Sequence, residues 1–402
     1  MKKESKVLHL EVELIKMANP FYILVGSVFF IIYGGLNYYI GLRGWQALFS
    51  YVPFINPKLY GLAFGIVSLS YLFSRLMQKF LPKGLYEGLN LVGAYWLAFM
   101  FYFLLVITAL DLLRLLNHFL RLVPMNVKQS LNPALGFAVF ILVVGIVSYG
   151  AWNARHPRVN HYEVSIAKQA GPLKQLHVVM VSDIHLGTII HNGYLTKMVD
   201  KVNQLKPDLV LFAGDVFDEN VEAVNKQEMT ASFSKLKAQY GAFAVLGNHE
   251  YIGGNAEEAI KYLKAAGVRV LKDSSQEIAG SFYLIGRDDL SSERVNRVKR
   301  KSLATLMQGV DRSLPIILMD HQPSQLAEPA EQGVDLQLSG HTHAGQLFPI
   351  RLITRRIFED DWGYLRKGNF QLIVSSGYGT WGPPIRVGNT PEIVDITITF
   401  NK

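Results

Sequence analysis

Three stretches of this chain run without a charged residue for longer than a soluble helix sustains. Ala18 to Leu42 is charge-free for 25 residues, Gly88 to Leu110 for 23, and Gln129 to Ala154 for 26. At ~1.5 Å of rise per residue, each spans the ~30 Å of a bilayer's hydrocarbon as a helix. A fourth stretch, Leu59 to Met77, is interrupted by Arg75 near one end, from where a long side chain reaches the interface. The chain is therefore read as carrying about four transmembrane helices. The first is not a cleavable signal peptide, because it is too long, lacks a clear small-residue cleavage site and is followed by further spans.

The charge distribution divides the chain in the same place. Of the net +8, residues 1–16 hold +1, residues 17–152 hold +6 with ten charged residues, and residues 153–402 hold +1 with 55 charged residues. The positive excess belongs to the apolar half, and the balanced second half argues against nucleic acid. The 50% hydrophobic and 18% charged fractions exclude a disordered or collagen-like chain. The absence of cysteine excludes disulfides and thiolate metal sites. The expected organisation is a cytoplasmic N-terminal segment over residues 1–17, a membrane domain over 18–154 and an α/β domain over 155–402.

Four spans place both termini on one side. Eleven Lys and Arg flank the spans on that side and five on the other, which predicts a cytoplasmic C-terminal domain in a multi-pass membrane protein. Without the second span, the domain would change sides relative to the N-terminus. In Asp111–Val123 polar residues recur at helical spacing, so the third span either ends there or continues as an amphipathic helix at the interface. Nothing in the spans pairs buried charges as a transport route would. The membrane half reads as an anchor or a lipid-access platform.

From Val159 onward the pattern changes to short strands alternating with helix candidates, among them Tyr194–Gln204 and Asn255–Ala266. Tyr162, Val164 and Ile166 alternate with polar residues, as do Val394, Ile396, Ile398 and Phe400 in Ile393–Phe400, so both runs are predicted strands. Five apolar runs each end in a polar cluster. Val178–Val181 leads to Asp183 and His185, Leu209–Ala213 to Gly214, Asp215 and Asp218, and Phe243–Leu246 to Gly247, Asn248, His249 and Glu250. Ile316–Met319 leads to Asp320 and His321, and Leu336–Leu338 to Gly340, His341 and His343. Strands that end this way place their ligand-type residues around one crevice. Five of the chain's 11 histidines lie in these clusters. Carboxylate oxygens with imidazole nitrogens suit a pair of divalent cations, which can hold water between them and clamp a phosphoryl group for in-line attack.

The ordered set Asp183-x-His185, Gly214-Asp215-x-x-Asp218, Gly247-Asn248-His249-Glu250, His321 and Gly340-His341-x-His343 resembles the calcineurin-like metallophosphoesterases. The resemblance covers about Val159 to Phe400. Gly340–Gln346 and the late Gly377-Tyr378-Gly379-Thr380…Pro384-Ile385-Arg386 are most similar to a bacterial membrane-associated branch that includes enzymes acting on UDP-2,3-diacylglucosamine. The resemblance implies a four-layer α/β/β/α sandwich, here preceded by the all-α multi-span domain. It implies that Asp183, His185 and His343 hold one metal, that Asn248, His321 and His341 hold a second, and that Asp215 bridges both. The metals would be Mn, Fe, Zn or Co, with Mn favoured. His249 would face the leaving-group oxygen, and Asp218 would hold its ring. A metal-bridging hydroxide would attack phosphorus.

The expected partners are a lipid bilayer and a phosphorylated small molecule, lipid-linked or free; oligomeric state is left open. A phosphodiesterase or phosphatase of broad specificity on soluble substrates stays open, as do a non-catalytic metal-binding scaffold and a transporter with a regulatory domain. Many family members carry Arg after the Gly-Asp-x-x-Asp block, whereas this chain has Glu219. Phosphate contact then falls to the metals or to a cation such as Arg386 or Arg287. The basic run Arg294–Lys301 is read as a solvated helix face or a membrane-facing patch. Leu347–Phe358 places apolar residues beside cations immediately after a ligand, which suits either acyl chains or a buried loop, and Trp381 either lines the pocket or caps the core.

Overall fold

The computed structural model describes residues 20–49, 54–121, 125–218, 224 and 227–401; the expected N-terminal segment 1–17 lies outside them. The chain forms two compact units, one through Val147 and one from Ser148.

The first unit is helical. Helices α1 (Pro20–Phe49), α2 (Pro57–Met77), α3 (Lys83–Leu120) and α4 (Met125–Asn153) match the four apolar stretches. All four are long and apolar enough to cross a membrane, α1 over Ile23–Phe49 and α4 over Ala134–Asn153. The Arg75-containing stretch is thus a 21-residue helix, started by Asn56, whose side chain accepts the Lys58 N–H, with Pro57 in the first turn. The polar repeat after Leu110 continues α3 to Leu120 without a break.

Polarity is inverted relative to a soluble bundle. Ile31, Leu62, Leu112 and Phe137 point outward, while Asn37, Ser68, Ser74 and Asn90 are buried. Helices surrounded by hydrocarbon require this, because a polar group in lipid must find its partner inside the protein. Trp96 Nε1 donates to Asn37 Oδ1 at 2.9 Å, and Asn37 Nδ2 to the Tyr33 carbonyl at 2.8 Å. Among the described residues one charge pair is seen between these helices: Arg43 of α1 meets Asp111 of α3, which also accepts Arg114 Nη1 at 2.8 Å. All three side chains are partly exposed, so the pair does not form a buried route.

The second unit contains two six-stranded mixed sheets. Sheet one runs β1 (Arg158–Ile166), β12 (Glu392–Phe400), β2 (Gln175–Val181), β3 (Leu209–Ala213), β4 (Ala242–Val245), β5 (Val268–Val270). Sheet two runs β10 (Gly363–Lys367), β11 (Phe370–Val374), β9 (Leu336–Ser339), β8 (Ile316–Met319), β7 (Phe282–Gly286), β6 (Ser274–Ile278). Strands β2 to β5 are parallel, as are β7, β8, β9 and β11.

The period of two along each strand sorts its side chains into separate cores. Val178 and Met180 of β2, Leu209 and Leu211 of β3, Phe243 of β4, Leu284 of β7, Ile317 of β8 and Leu338 of β9 meet between the sheets. The alternate residues Val179, Val181, Val210 and Phe212 pack under helices that include Asn192–Leu205 and Ala256–Ala265. Ile316, Leu318, Leu372 and Val374 do the same on the far side, with Leu303 and Leu306. Three apolar layers therefore separate four structural ones, helix, sheet, sheet, helix. The predicted alternation in β12 is muted, because Glu392 to Ile396 are all buried between two neighbouring strands and the layers above and below.

The boundary between units falls inside α4, ahead of the residue 154/155 division that charge predicts. The last turn of α4 is bonded into the second unit: Arg386 N–H donates to the Gly150 carbonyl at 2.9 Å, and Asn153 Nδ2 donates to the carbonyls of Arg386 (3.0 Å) and Asn389 (2.7 Å). A change of composition does not register such bonds.

Phe243 is fully buried between the sheets, with the Arg269 guanidinium 4.0 Å from its ring centroid. Phe243→Ala should cost about 3–5 kcal/mol through the cavity it leaves. Exposed Ile357→Ala should stay within about 0.5 kcal/mol. Denaturant unfolding of the full chain, followed by circular dichroism, measures both.

Candidate metal centre

Parallel strands carry their C-terminal ends to the same edge, and here both sheets do so. Strands β2, β3 and β4 of sheet one release Asp183 and His185, Asp215, and Asn248 with His249. Strands β8 and β9 of sheet two release His321, and His341 with His343. The structure brings all of these predicted residues together.

The strand-to-loop turns are sharp. Asp183, His185, Asp215, His341 and His343 all have φ between 50° and 71°, the left-handed region that side chains seldom occupy. Each such conformation costs roughly 1–3 kcal/mol and persists only where neighbouring bonds enforce it. Asp183 N–H donates to the Gly214 carbonyl at 3.0 Å, His185 N–H to that of Asp215 at 3.1 Å, and Gly340 N–H to that of His321 at 2.9 Å. Two glycines give the carboxylates room. A Cβ on Gly340 would lie 2.2 Å from Asp183 Oδ2, and one on Gly247 would lie 2.1 Å from Asp215 Oδ1.

Three overlapping groups of potential ligand atoms result, each within 4.8 Å: Asp183, His185 and His343; His185, Asp215 and His249; Asp215, His321 and His341. Asp215 Oδ2 stands 3.9 Å from His185 Nε2 and 3.2 Å from His321 Nε2, between the two sides of the cluster. Asn248 Oδ1 lies 2.8 Å from His341 Nδ1 and 3.2 Å from His321 Nε2. His185 Nε2 and His343 Nε2 face each other at 3.0 Å.

The donor set fits divalent cations. Burial, followed by the neighbouring His249, lowers His185 to about 3; burial, followed by His321, lowers His341 to about 4. Burial and then Arg386 hold His343 well below its ordinary value. These rings are neutral at physiological pH, the form that binds metal. His321 Nδ1 lies 2.8 Å from the Ala213 carbonyl and Nε2 lies 3.2 Å from Asp215 Oδ2; against its burial, the Asp215 charge holds this ring well above its ordinary value. Against its burial, His321 keeps the Asp215 carboxyl well below the usual carboxylate range. His185 Nδ1 is buried without a protein partner.

His249 differs from the other rings. Burial works to lower it, but the hydrogen bond to Asp218, whose Oδ1 lies 3.1 Å from Nδ1, and then the Asp215 charge raise it to about 9. Glu250, in the same motif, is a buried clamp with no role predicted from sequence. Its carboxylate accepts the Gly247 N–H at 2.7 Å and the Phe217 N–H at 2.9 Å, tying the two loops that carry Asn248 and Asp218.

Neither arginine expected at phosphate is available to it. Arg386 is wholly buried. Its guanidinium donates to the carbonyls of Ser376, Gly377 and Gly379 and lies 3.0 Å from His343 Nδ1. It braces a ligand from behind. Arg287 is buried against Asp320 and Glu328, at 3.4 and 2.9 Å. Arg300 departs from the solvated reading of its run, because it is buried against Asp320 at 3.0 Å, whereas Arg294, Arg297 and Lys299 are exposed. Asp320 therefore needs these cations as partners before any substrate does. Glu219 lies outside the described residues. Trp381 is exposed, with its ring 6.2 Å from that of His249, so it lines the mouth. Leu347–Phe358 forms no buried strand. It contains the exposed helix Arg351–Ile357, and Phe358 reaches within 5.9 Å of the His341 ring.

A family model described as calcineurin-like phosphoesterase matches residues 176–345. An uncharacterized metallophosphoesterase of Aquifex aeolicus is 36% identical over 65% of this chain and 98% of that protein. One from Helicobacter pylori strain J99 is 33% identical over 66% of this chain and 70% of that protein. A Danio rerio protein named "transmembrane protein with metallophosphoesterase domain" is 29% identical over 64% and 61%, respectively.

Gly340→Ala should displace the Asp183 carboxylate and lower metal affinity about 10–100-fold. Titration of the full chain with Mn2+ and elemental analysis after gel filtration measure the loss.

Proposed function

The chain belongs to the calcineurin-like phosphoesterases, metal-dependent hydrolases of phosphoesters, and on that premise we propose that it is anchored in a membrane and cleaves a lipid-linked phosphoester or pyrophosphate. In this reading α1 to α4 cross the bilayer and the hydrolase domain faces the cytoplasm, as the Lys and Arg bias around the spans favours. UDP-2,3-diacylglucosamine is the specific substrate we propose. The observation that carries the reading is the cluster itself, with its shared Asp215 and charged His249.

Asp183, His185 and His343 would hold one divalent cation, Asn248, His321 and His341 a second, and Asp215 would touch both. When bound, the cations supply an activated water and neutralise the phosphoryl oxygens. The chain supplies orientation and a proton. Asp218 fixes the His249 ring through Nδ1, which leaves Nε2–H for the oxygen of the departing group. A protonated His249 offsets charge on that oxygen as the bond to phosphorus breaks, and then transfers the proton. Arg386 donates to the His343 backbone carbonyl and packs its guanidinium 3.0 Å from Nδ1, which keeps the ring from turning. Trp381 and Phe358 present apolar surface beside the reacting atoms.

With Mn2+, the wild-type chain should hydrolyse bis-p-nitrophenyl phosphate. Asp215→Asn should abolish this, and His249→Ala should lower kcat about 10²–10⁴-fold while bound metal is retained. Equal rates for wild type and Asp215→Asn would overturn the hydrolase assignment. A panel of lipid pyrophosphates, phosphodiesters and monoesters tests the substrate. UDP-2,3-diacylglucosamine in mixed micelles is expected to have the highest kcat/KM, and a preference for soluble esters would favour a broad-specificity phosphodiesterase.

A further inference from the structure

The described surface of the second unit leaves apolar side chains exposed on both sides of the cluster. After His343, the residues Phe348, Leu352, Ile353 and Ile357 are each more than half exposed, as is Trp381. Helix Arg351–Ile357 buries none of its side chains. Beyond His249 on the same short helix, Ile252 is more than half exposed, and Val295 and Val298 of the adjoining segment are also exposed. Large apolar groups ringing a polar cleft are rare on a surface that meets only water.

Cations interleave with them. Arg355 and Arg356 accompany the first set, and Arg294, Arg297 and Lys299 the second, all exposed. Among the described residues the exposed carboxylates of these segments are fewer, Glu257, Glu258, Glu293 and Glu359; Glu257 pairs with Lys272 and Glu359 with Lys367. Apolar residues mixed with arginine, with a tryptophan at the edge, suit the headgroup layer of an anionic bilayer.

The start of the unit lies beside this rim. Gly150 in the last turn of α4 accepts the Arg386 N–H, and the next residue, Val387, accepts the Phe348 N–H at 2.8 Å. Exposed Tyr149 and Trp152 belong to that same turn. The last turn of α4 is therefore joined to Phe348 through the backbone of Arg386 and Val387.

We propose that the rim formed by helix Arg351–Ile357, Phe348 and Trp381, with Ile252, Val295 and Val298 opposite, is a docking surface for an anionic lipid bilayer. This deepens the proposed function and rests on the reading that α1 to α4 hold the chain in a membrane. Seated there, the cluster meets a lipid's phosphate at headgroup depth, and the acyl chains stay in the bilayer. The interleaved cations favour this occupant over an apolar protein partner, because anionic headgroups answer both the arginines and the apolar groups.

The chain has no cysteine, so single sites can be labelled in the full protein. Ile353→Cys and Ile357→Cys, each carrying an environment-sensitive fluorophore, are compared in nanodiscs with Lys264→Cys, on the exposed side of helix Ala256–Ala265. The first two labels should brighten about threefold when about 30% phosphatidylglycerol is added to phosphatidylcholine, and doxyl lipids should quench them. The Lys264→Cys label should do neither. Combining Arg355→Glu with Arg356→Glu should remove the response to phosphatidylglycerol. Labels at 353 and 357 that remain as polar and unquenched as the one at 264 would overturn the proposal, including when they are shielded by a second copy or another protein. The measurement needs no turnover. Failure to hydrolyse a phosphoester counts against the hydrolase assignment, while label depth decides the docking surface.

Discussion

The Asp183 carboxylate accepts the backbone N–H of His341 with both oxygens, at 2.9 and 3.1 Å. Asp183 ends a strand of one sheet and His341 follows a strand of the other, so this contact closes the sandwich at its functional edge. His321 makes a second tie in the opposite sense, reaching from β8 to the Ala213 carbonyl and to Asp215 at the end of β3. The residues that would bind cations are therefore also the seam between the two sheets. Burial pushes Asp183 up to about 6, a measure of how poorly a carboxylate is accommodated there without countercharge. The arrangement makes sense when a divalent ion supplies that charge.

This seam explains the concentration of unfavourable backbone in a few residues. Five left-handed side-chain-bearing positions lie among the ligand candidates; Asp183, His185, Asp215 and His341 are bonded across neighbouring strand ends, and the His343 carbonyl accepts from Arg386. The strain is held by the sandwich, whose inter-sheet core packs Val178, Met180, Leu211 and Phe243 against Leu284, Ile317 and Leu338. The rigidity of Val178, Met180, Leu211 and Phe243 thereby reaches Asp183 and Asp215 within a few residues.

The ligand candidates are legible in sequence because their chemistry restricts residue type. A cation-binding atom at a strand end must come from a short list, and Asp-x-His or Gly-His-x-His leaves little else to propose. The four-layer sandwich is legible only through the family resemblance that those motifs carry, because strands alternating with helices fit several α/β packings. The arginines are not legible. Arg386 and Arg287 look like phosphate contacts because an arginine's role depends on what surrounds it, and burial with carbonyl acceptors is a tertiary property. Glu250 is similarly silent, since its partners Gly247 and Phe217 are backbone groups. Arg351–Ile357 does not announce itself as an exposed helix, because its apolar and basic residues also suit a buried loop. The four apolar helices are visible from length alone, yet the polar contacts that join them, such as Trp96 with Asn37, depend on how they pack.

The last turn of α4 has a consequence for what counts as the hydrolase. Gly150 and Asn153 supply hydrogen bonds to the backbone at Arg386 and Asn389, and the Arg386 side chain holds the His343 ring. The end of the apolar helix thus stands two steps from a candidate metal ligand. Cutting the chain at Arg155, where its composition changes, would remove part of the support for that ligand together with the four apolar helices. Another helix could replace the end of α4 only if it reproduced the small residue at 150 and the amide at 153. The last turn of α4 and the hydrolase share residues, so they would be expected to change together.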